Sequence, residues 1–347
     1  MGAAEQRATT ERGLRRVPWP VRPRTTRPPD VVSRIPSGVP VTIEHQGVRW
    51  INIERPTPAS IGYLRSTFDF HEPDLEDVLD TLQRPKLDEY DDYLFLVLQF
   101  PVHSKLTRTT TAGEVDIFVG RDFVITIHDD SVKPLSRLFD EVEREPEKRD
   151  DVFGGGAEYL LHSIIDQLLD YCIPITRRIS QRLEQIDDMI FAPNSLRTIE
   201  EIATVRRDII ATRRIIKPQV QIINVLDRRI GIFFKQGKDE EEELEAYFGD
   251  LVDKINKVYD ILEDAREVID ALSATTDSIS SHRLNEVIKT LTIISVIMLP
   301  LNLISSIYGM NVPLPFAEQM GSFYALITTM VVTATAMLVL FRWRRWL

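Results

Sequence analysis

Between Leu244 and Leu272 apolar residues recur in alternating steps of four and three: Leu244, Phe248, Leu251, Ile255, Val258, Leu262, Ala265, Ile269 and Leu272. That is the seam of a coiled-coil-like helix, sustained well beyond three heptads. No proline interrupts the chain from there to Pro300. At 1.5 Å per residue, a helix from about Glu241 to Ile307 reaches on the order of 100 Å. A compact domain cannot enclose such a rod, so it reads as a stalk. The seam supplies a reason for copies of the chain to associate along it.

The stalk runs into two apolar segments. Leu291–Ile307 and Ser322–Phe341 are essentially uncharged, and each is about long enough to cross a hydrocarbon core of ~30 Å. Lys289 precedes the first; Arg342, Arg344 and Arg345, with Trp343 and Trp346, close the second. Basic residues and tryptophans at the end of a span mark the cytoplasmic interface. Two spans then place both termini, and the large N-terminal part, on that side of the cell membrane. The first span continues a polar stripe from the stalk: Asn285, Thr292, Ser295, Asn302 and Ser306, in steps of seven, three, seven and four. Polar groups in a bilayer must face protein or water. The stripe therefore either hydrogen-bonds a neighbouring helix or lines a water-filled pore. Two spans cannot enclose a pore, so the second reading requires a ring of copies. The second span carries small residues that allow close packing.

Upstream, the chain changes character twice. Residues 1–40 are rich in Arg and Pro and hold too little apolar surface to offset chain entropy. Arg15-Arg16 lacks the apolar run of an export signal after it, so this segment reads as a disordered basic tail. Residues 41–150 alternate short strands and helices. A hairpin is expected around Gln46-Gly47, joining 41–45 to 48–53. Tyr93–Phe100 reads as a strand buried on both faces, and 114–119 with 123–128 as a second hairpin. Pro73–Leu79 reads as a short helix with acidic residues early. From Ala157 the helical period takes over, to about Phe191. A break follows at Ala192-Pro193-Asn194, with Ser195 as N-cap. A second helix, kinked at Pro218, ends between Gly231 and Gly237. Residues 151–240 thus form an antiparallel helical hairpin, 241–290 the stalk, 291–311 the first span, 312–321 a periplasmic loop, 322–341 the second span and 342–347 a basic cytoplasmic tail. The fold class is an α+β cytoplasmic domain followed by a long stalk helix and two transmembrane helices.

Charge and cysteine usage exclude several functions. The formal net charge is −11, whereas a nucleic-acid binder shows a basic face; acidity suits metal cations as partners. The one cysteine, Cys172, rules out a disulfide scaffold or a Cys-rich zinc site. No Walker loop or nucleophile elbow appears and the six histidines are scattered, so an enzyme is not expected.

Directly after the first span stands Tyr308-Gly309-Met310-Asn311. Here the sequence resembles the CorA family of magnesium channels, whose signature is Gly-Met-Asn at this place. The resemblance extends through Asn285–Ile294, Pro300-Leu301, His71–Leu79 and Gln83–Lys86, and covers the chain from about Val41 onward. It implies a homopentameric funnel with the first span around the pore and Gly309, Met310 and Asn311 as selectivity filter. Five copies of Asn311 would ring the periplasmic mouth. Mg²⁺ dehydrates reluctantly, so neutral amides that hold it through its water suit entry and exit alike. Gly309 would let the backbone turn, and Met310 would brace it. The alternative for Asn311 is a helix C-cap.

Further positions follow from the same resemblance. Asn285, Ile288, Leu291, Thr292, Ser295, Leu299, Asn302 and Ser306 would line the pore, with Ile288 and Leu291 able to gate by dewetting; ordinary helix packing is the alternative for the apolar ones. Glu76, Asp77 and Asp250 would bind regulatory Mg²⁺ between subunits and hold the funnel closed, the alternative being solvated surface acids. The implied function is passive Mg²⁺ influx, with Co²⁺ or Ni²⁺ as further permeants, no organic cofactor, and the lipid bilayer and divalent cations as partners. Two departures stand out: the loop 312–318 has one acidic residue where many relatives carry more, and Asn302 stands where relatives often have Thr. A zinc transporter of the ZntB kind is the competing reading, against which Met310 argues. A two-span scaffold or signalling protein is the alternative from another class; it explains the heptads and leaves the stripe ending in Asn311 unexplained.

Overall fold

The computed structural model describes residues 37–80, 83–104, 109–190, 195–234, 238–310, 320–344 and Trp346. The Arg/Pro tail, the break at 192–194, the end of the second helix at Gly237, Asn311 with the loop after it, and Arg345 lie outside these residues, as do the side chains of Ser195 and of 239–241.

Strands β1 (Val41–His45) and β2 (Val48–Glu54) pair antiparallel around Gln46-Gly47. Both turn residues have positive φ, 49° and 82°, which is the type I′ geometry that matches strand twist and that glycine tolerates freely. Helix α1 (Pro58–Thr67) follows, capped by Thr57 through a reciprocal bond with Ser60. Next come α2 (Glu72–Asp77), β3 (Lys86–Glu89), β4 (Tyr93–Ser104), β5 (Thr109–Gly120) and β6 (Phe123–His128). The sheet order is β1-β2-β6-β5-β4-β3, with β2 and β6 parallel and every other pair antiparallel. Both predicted hairpins and the short helix are present. Sequence reading missed α1 and β3, and it cut the β4–β5 pair short. These two strands run on to Ser104 and from Thr109 as an arm that is only partly buried, so its outer half lacks the apolar run that marked the inner half.

One face of the sheet is closed by α1 and α2 over Ile51, Ile53, Phe95, Val97, Phe118 and Ile127. On the other face Trp50 packs edge-on against Phe139 of α3 (Lys133–Arg144), centroids 4.9 Å apart. The Trp50 indole N–H donates to Thr126, whose hydroxyl donates to Asn52 Oδ1, at 3.0 and 2.8 Å; Asn52 Nδ2 is buried without a partner among the described residues. Helix α4 (Pro146–Phe153) leads into three long helices, α5 (Ala157–Met189), α6 (Ser195–Phe234) and α7 (Lys238–Tyr308). Helix α8 (Met320–Trp343) closes the chain. Pro218 lies inside a helix that continues through it, as do Pro174 and Pro300.

Helix α7 is a single element of 71 residues, as the absence of breakers predicted. The role of its seam is different from the expectation. Every seam residue from Leu244 to Leu272 is at most 8% exposed within one chain, because α5 and α6 pack along this part of α7. The heptad pattern from Leu244 to Leu272 is thus consumed inside the chain. A three-helix bundle needs the same repeat as a coiled coil between chains, and spacing alone does not distinguish them.

Candidate functional site

Below Thr276, which is 5% exposed, α7 emerges from the bundle. From residue 284 onward its side chains are mostly exposed until α8 packs against it. The covered positions on α7 are Ile293, which is buried, and Ile297, Pro300, Leu301 and Ile304, which are half-buried. The matching half-buried positions on α8 are Leu326, Met330, Thr333, Ala334, Met337 and Phe341, spaced so that they form one helix face. Two helices that are long and apolar enough to cross a membrane thus pack along one narrow stripe each.

The predicted pore-lining residues fall elsewhere on α7. At about 100° per residue, Asn285, Ile288, Leu291, Ser295, Leu299, Asn302 and Ser306 centre about 180° from the stripe that α8 covers. All seven are exposed, Leu299 as much as 70%; Thr292, at the edge of this set, is half-buried. The exposed arc is flanked by apolar residues, Ile294 and Met298 on one side and Val296 and Leu303 on the other. Thr292 and Ser295 donate their hydroxyls to the carbonyls of Ile288 and Leu291, at 2.8 and 2.9 Å. Their polarity is thereby met within the helix, so Asn285 and Asn302 are the members of the stripe whose amides still call for water or an ion.

At the signature, the Gly309 N–H continues the helical bonding pattern by donating to Ser305 O at 3.0 Å. Among the described residues the glycines with positive φ are Gly38, Gly47, Gly154 and Gly155. Gly309 stands in the turn that follows the helix end, without a left-handed backbone. A Cβ there would stand 3.3 Å from Ser305 O, which makes the position tight rather than left-handed. Met310 is exposed, its N–H bonded to Ile307 O at 3.3 Å. Asn311 lies outside the described residues.

The predicted control acids sit on separate elements. Asp77 ends α2 with Oδ2 2.8 Å from Lys86 Nζ, which also lies 2.7 Å from Asp88 and 3.7 Å from the buried Asp74. Burial opposes the charge on Lys86, yet the Asp77 and Asp88 carboxylates outweigh it and raise its pKa. Tyr93 donates to Asp74 at 3.0 Å and accepts from the His71 N–H at 2.9 Å, so α2 is clamped to β3 and β4. Glu76 beside it is exposed. Asp250, on α7, has a side chain 61% exposed and stands 3.8 Å from Lys254 Nζ. That ammonium is engaged mainly by Asp166 and by Asp170, the latter at 3.2 Å. Sequence reasoning did not single out Lys86, Lys254, Asp166 or Asp170; as scattered charges on helices and an edge strand they carry no pattern. Among the described residues no three acid, histidine or cysteine side chains gather into a metal-binding group. Glu76, Asp77 and Asp250 are therefore not assembled into a site by one chain alone.

A six-stranded α/β head, a bundle drawn out into one long helix, and two packed apolar helices define the class: a two-span membrane protein with a large soluble domain. The profile described as "CorA-like Mg2+ transporter protein" matches residues 45–345, and the chain belongs to the CorA family of divalent-cation transporters. It is 30% identical to YfjQ of Bacillus subtilis over 298 residues, 86% of this chain and 89% of that protein. It is 28% identical to the cobalt/magnesium transport protein CorA of Thermotoga maritima over 282 residues, covering 81% and 78% of the two. The complete structure of the CorA magnesium transporter from Methanocaldococcus jannaschii superimposes with a TM-score of 0.75 at 23% identity, over 88% of this chain and 94% of that one.

Proposed function

We propose that five copies of this chain form a channel for passive Mg²⁺ influx, with α7 around the pore, α8 outside it and both termini in the cytoplasm. The observation that carries this reading is the geometry of α7: α8 covers one face, and the polar stripe sits at the middle of the opposite, open arc. In a ring, the apolar flanks Ile294, Met298, Val296 and Leu303 meet neighbouring copies, and the stripe faces the lumen. Asn302 and Asn285 then offer amide oxygens to a hydrated ion, while Leu299, Leu291 and Ile288 narrow the path with apolar rings that dewet when closed. Asn311, five-fold repeated, holds Mg²⁺ through its water shell at the outer mouth. The membrane potential drives entry, at ~2.3 kcal/mol per charge per 100 mV. Glu76 and Asp77 of one copy and Asp250 of the next bind internal Mg²⁺ and favour the closed ring, since the ion relieves repulsion between facing carboxylates.

Mg²⁺ flux into liposomes holding the purified protein, with its subunit number read by native mass spectrometry, tests the proposal. Wild type is expected to conduct as a pentamer, and Asn311→Ala to lower flux by about an order of magnitude. Equal flux in both would remove the selectivity role from Asn311. No flux of any divalent ion in either would favour the scaffold reading, and flux of Zn²⁺ without Mg²⁺ the zinc reading.

A further inference from the structure

The α/β domain holds a second acidic feature that neither the conduit nor the interface acids use. Glu114 and Asp116 of β5 are two residues apart, so both side chains leave the same face of the sheet. Asp116 pairs in register with Val97 on one side and Ile127 on the other, and both belong to the apolar core under α1 and α2. Asp116 is 5% exposed, and it makes no hydrogen bond or ion pair with any described residue. Glu114 keeps one buried carboxylate oxygen, Oε2, without a partner among the described residues. The adjacent base, Lys86, is spent on Asp77 and Asp88. Burial pushes both carboxyls above the ordinary range. At Glu114 hydrogen bonds from the Gln83 N–H and the Gln99 amide oppose it, while Asp129 and Asp77 add to it. At Asp116 the charges of Glu114 and Asp77 add to it, while Lys86 opposes.

These two groups border a cavity of ≈ 240 Å³, walled by Leu79 and Asp80 just beyond α2 and by Ile127 and Asp129 at the end of β6. Asp80 and Asp129 are exposed and put two more carboxylates at the mouth. An apolar ligand would leave the floor uncompensated, and an anion would be repelled. With no set of three acids among the described residues close enough to seize a bare ion, the fitting occupant is a cation that keeps its water. Mg²⁺ does so, and it commonly engages a protein through only one or two carboxylates. An octahedral shell of six waters at about 30 Å³ each fills roughly 180 Å³, which this cavity admits.

We propose that the cavity between α2 and β5 binds a hydrated divalent cation, Mg²⁺, held through its water by Glu114 and Asp116 within a single chain. Occupancy offsets the buried negative charge beneath Leu79 and Asp80 and so steadies the segment leaving α2. Its bearing on channel closure rests on the regulatory reading above; the binding itself does not.

The test counts bound Mn²⁺, as a paramagnetic stand-in, on full-length protein in detergent, and measures the shift in unfolding temperature caused by Mg²⁺. The background is Asp77→Ala with Asp250→Ala, which removes the interface acids. Adding Asp116→Asn, or Glu114→Gln with it, is expected to remove one ion per chain and the remaining Mg²⁺-dependent shift. An unchanged count and shift would overturn the proposal. So would a background protein that binds no Mn²⁺ at this stage, because the carboxyls would then be neutralised by protons. Asp116→Leu guards against a misfolded variant: it is expected to raise the unfolding temperature in EDTA and to abolish the Mg²⁺ response. A lowered temperature with the response intact would assign Asp116 a packing role and end the proposal. If liposomes show no flux while the count still falls with Asp116, the site stands and the channel reading alone is lost.

Discussion

Single residues in this protein are set by how completely the sheet excludes water. His128 is 3% exposed, and burial lowers its imidazole to about 4 from the ordinary 6.5; the Asp129 and Asp130 charges oppose this and Lys133 adds to it. Its Nδ1 accepts the Asp130 N–H at 3.3 Å. Between these two values the unfolded chain binds a proton that the folded one refuses, so stability falls as pH drops from about 6.5 to 4, by at most about 3 kcal/mol. Asp116 works in the opposite direction, because a carboxyl raised on folding is relieved by acid. Urea unfolding at pH 7, 5.5 and 4.5 is expected to show a shallower acid loss in His128→Gln than in wild type; equal slopes would place the acid lability elsewhere. Cys172 tells the same story for a nucleophile: burial pushes its thiol up to about 12. Folded protein is expected to resist thiol reagents at pH 8 and to react only once unfolded in denaturant.

At the scale of elements, helix length and covered face decide the outcome. Leu262 is 0% exposed in the α7 seam, and Leu262→Ala is expected to cost about 2–5 kcal/mol. Since the seam is closed within the chain, denaturant unfolding should register that loss while light scattering under native conditions finds the same assembly size. Dissociation before unfolding would return the seam to the interface between copies. Helix α8 offers a paired contrast. Ala334→Leu thickens the face against α7 and should cost about 1–3 kcal/mol by overpacking, whereas Val332→Leu, on a side chain 60% exposed, should leave thermal unfolding in detergent nearly unchanged. The sequence made the helices legible because breakers and periodicity act locally: α5, α6 and α7 lie within a few residues of where spacing puts them. The partner of a periodic face is not a local property. Leu244–Leu272 therefore announced a seam without saying that α5 and α6 would fill it. The same holds for the polar stripe, whose positions were readable from Asn285 to Ser306, whereas the choice of the opposite face for α8 depends on packing at Ile293, Ile297 and Ile304. Glu114 and Asp116 escaped notice altogether, since an acid in a strand looks alike whether a cavity or solvent lies beyond it.

For the molecule as a whole, the head and the spans are joined by one helix, along which the proposed control from the head would pass. Two of the three acids proposed to bind regulatory Mg²⁺ start from different conditions. Asp77 already shares Lys86 at 2.8 Å, while Asp250 stands 61% exposed with its lysine turned mainly to other acids. Removing the freer charge should matter more: Asp250→Ala is expected to relieve inhibition by internal Mg²⁺ several-fold, and Asp77→Ala less. Flux from liposomes loaded with graded Mg²⁺ measures both, and block unchanged in either variant would count against the sensor.

The continuity of α7 has a mechanical corollary. A rod about 105 Å long behaves as a lever: tilting its bundled end by one degree carries the far end sideways by nearly 2 Å. Such leverage survives only if the rod resists flexing, and its hydrogen-bond ladder lacks a donor at Pro300, within the segment that α8 splints. The second span covers this helix at the one rung of the stretch where the lever would otherwise give, so that under the proposed gating a small sway of the head would reach the membrane as displacement.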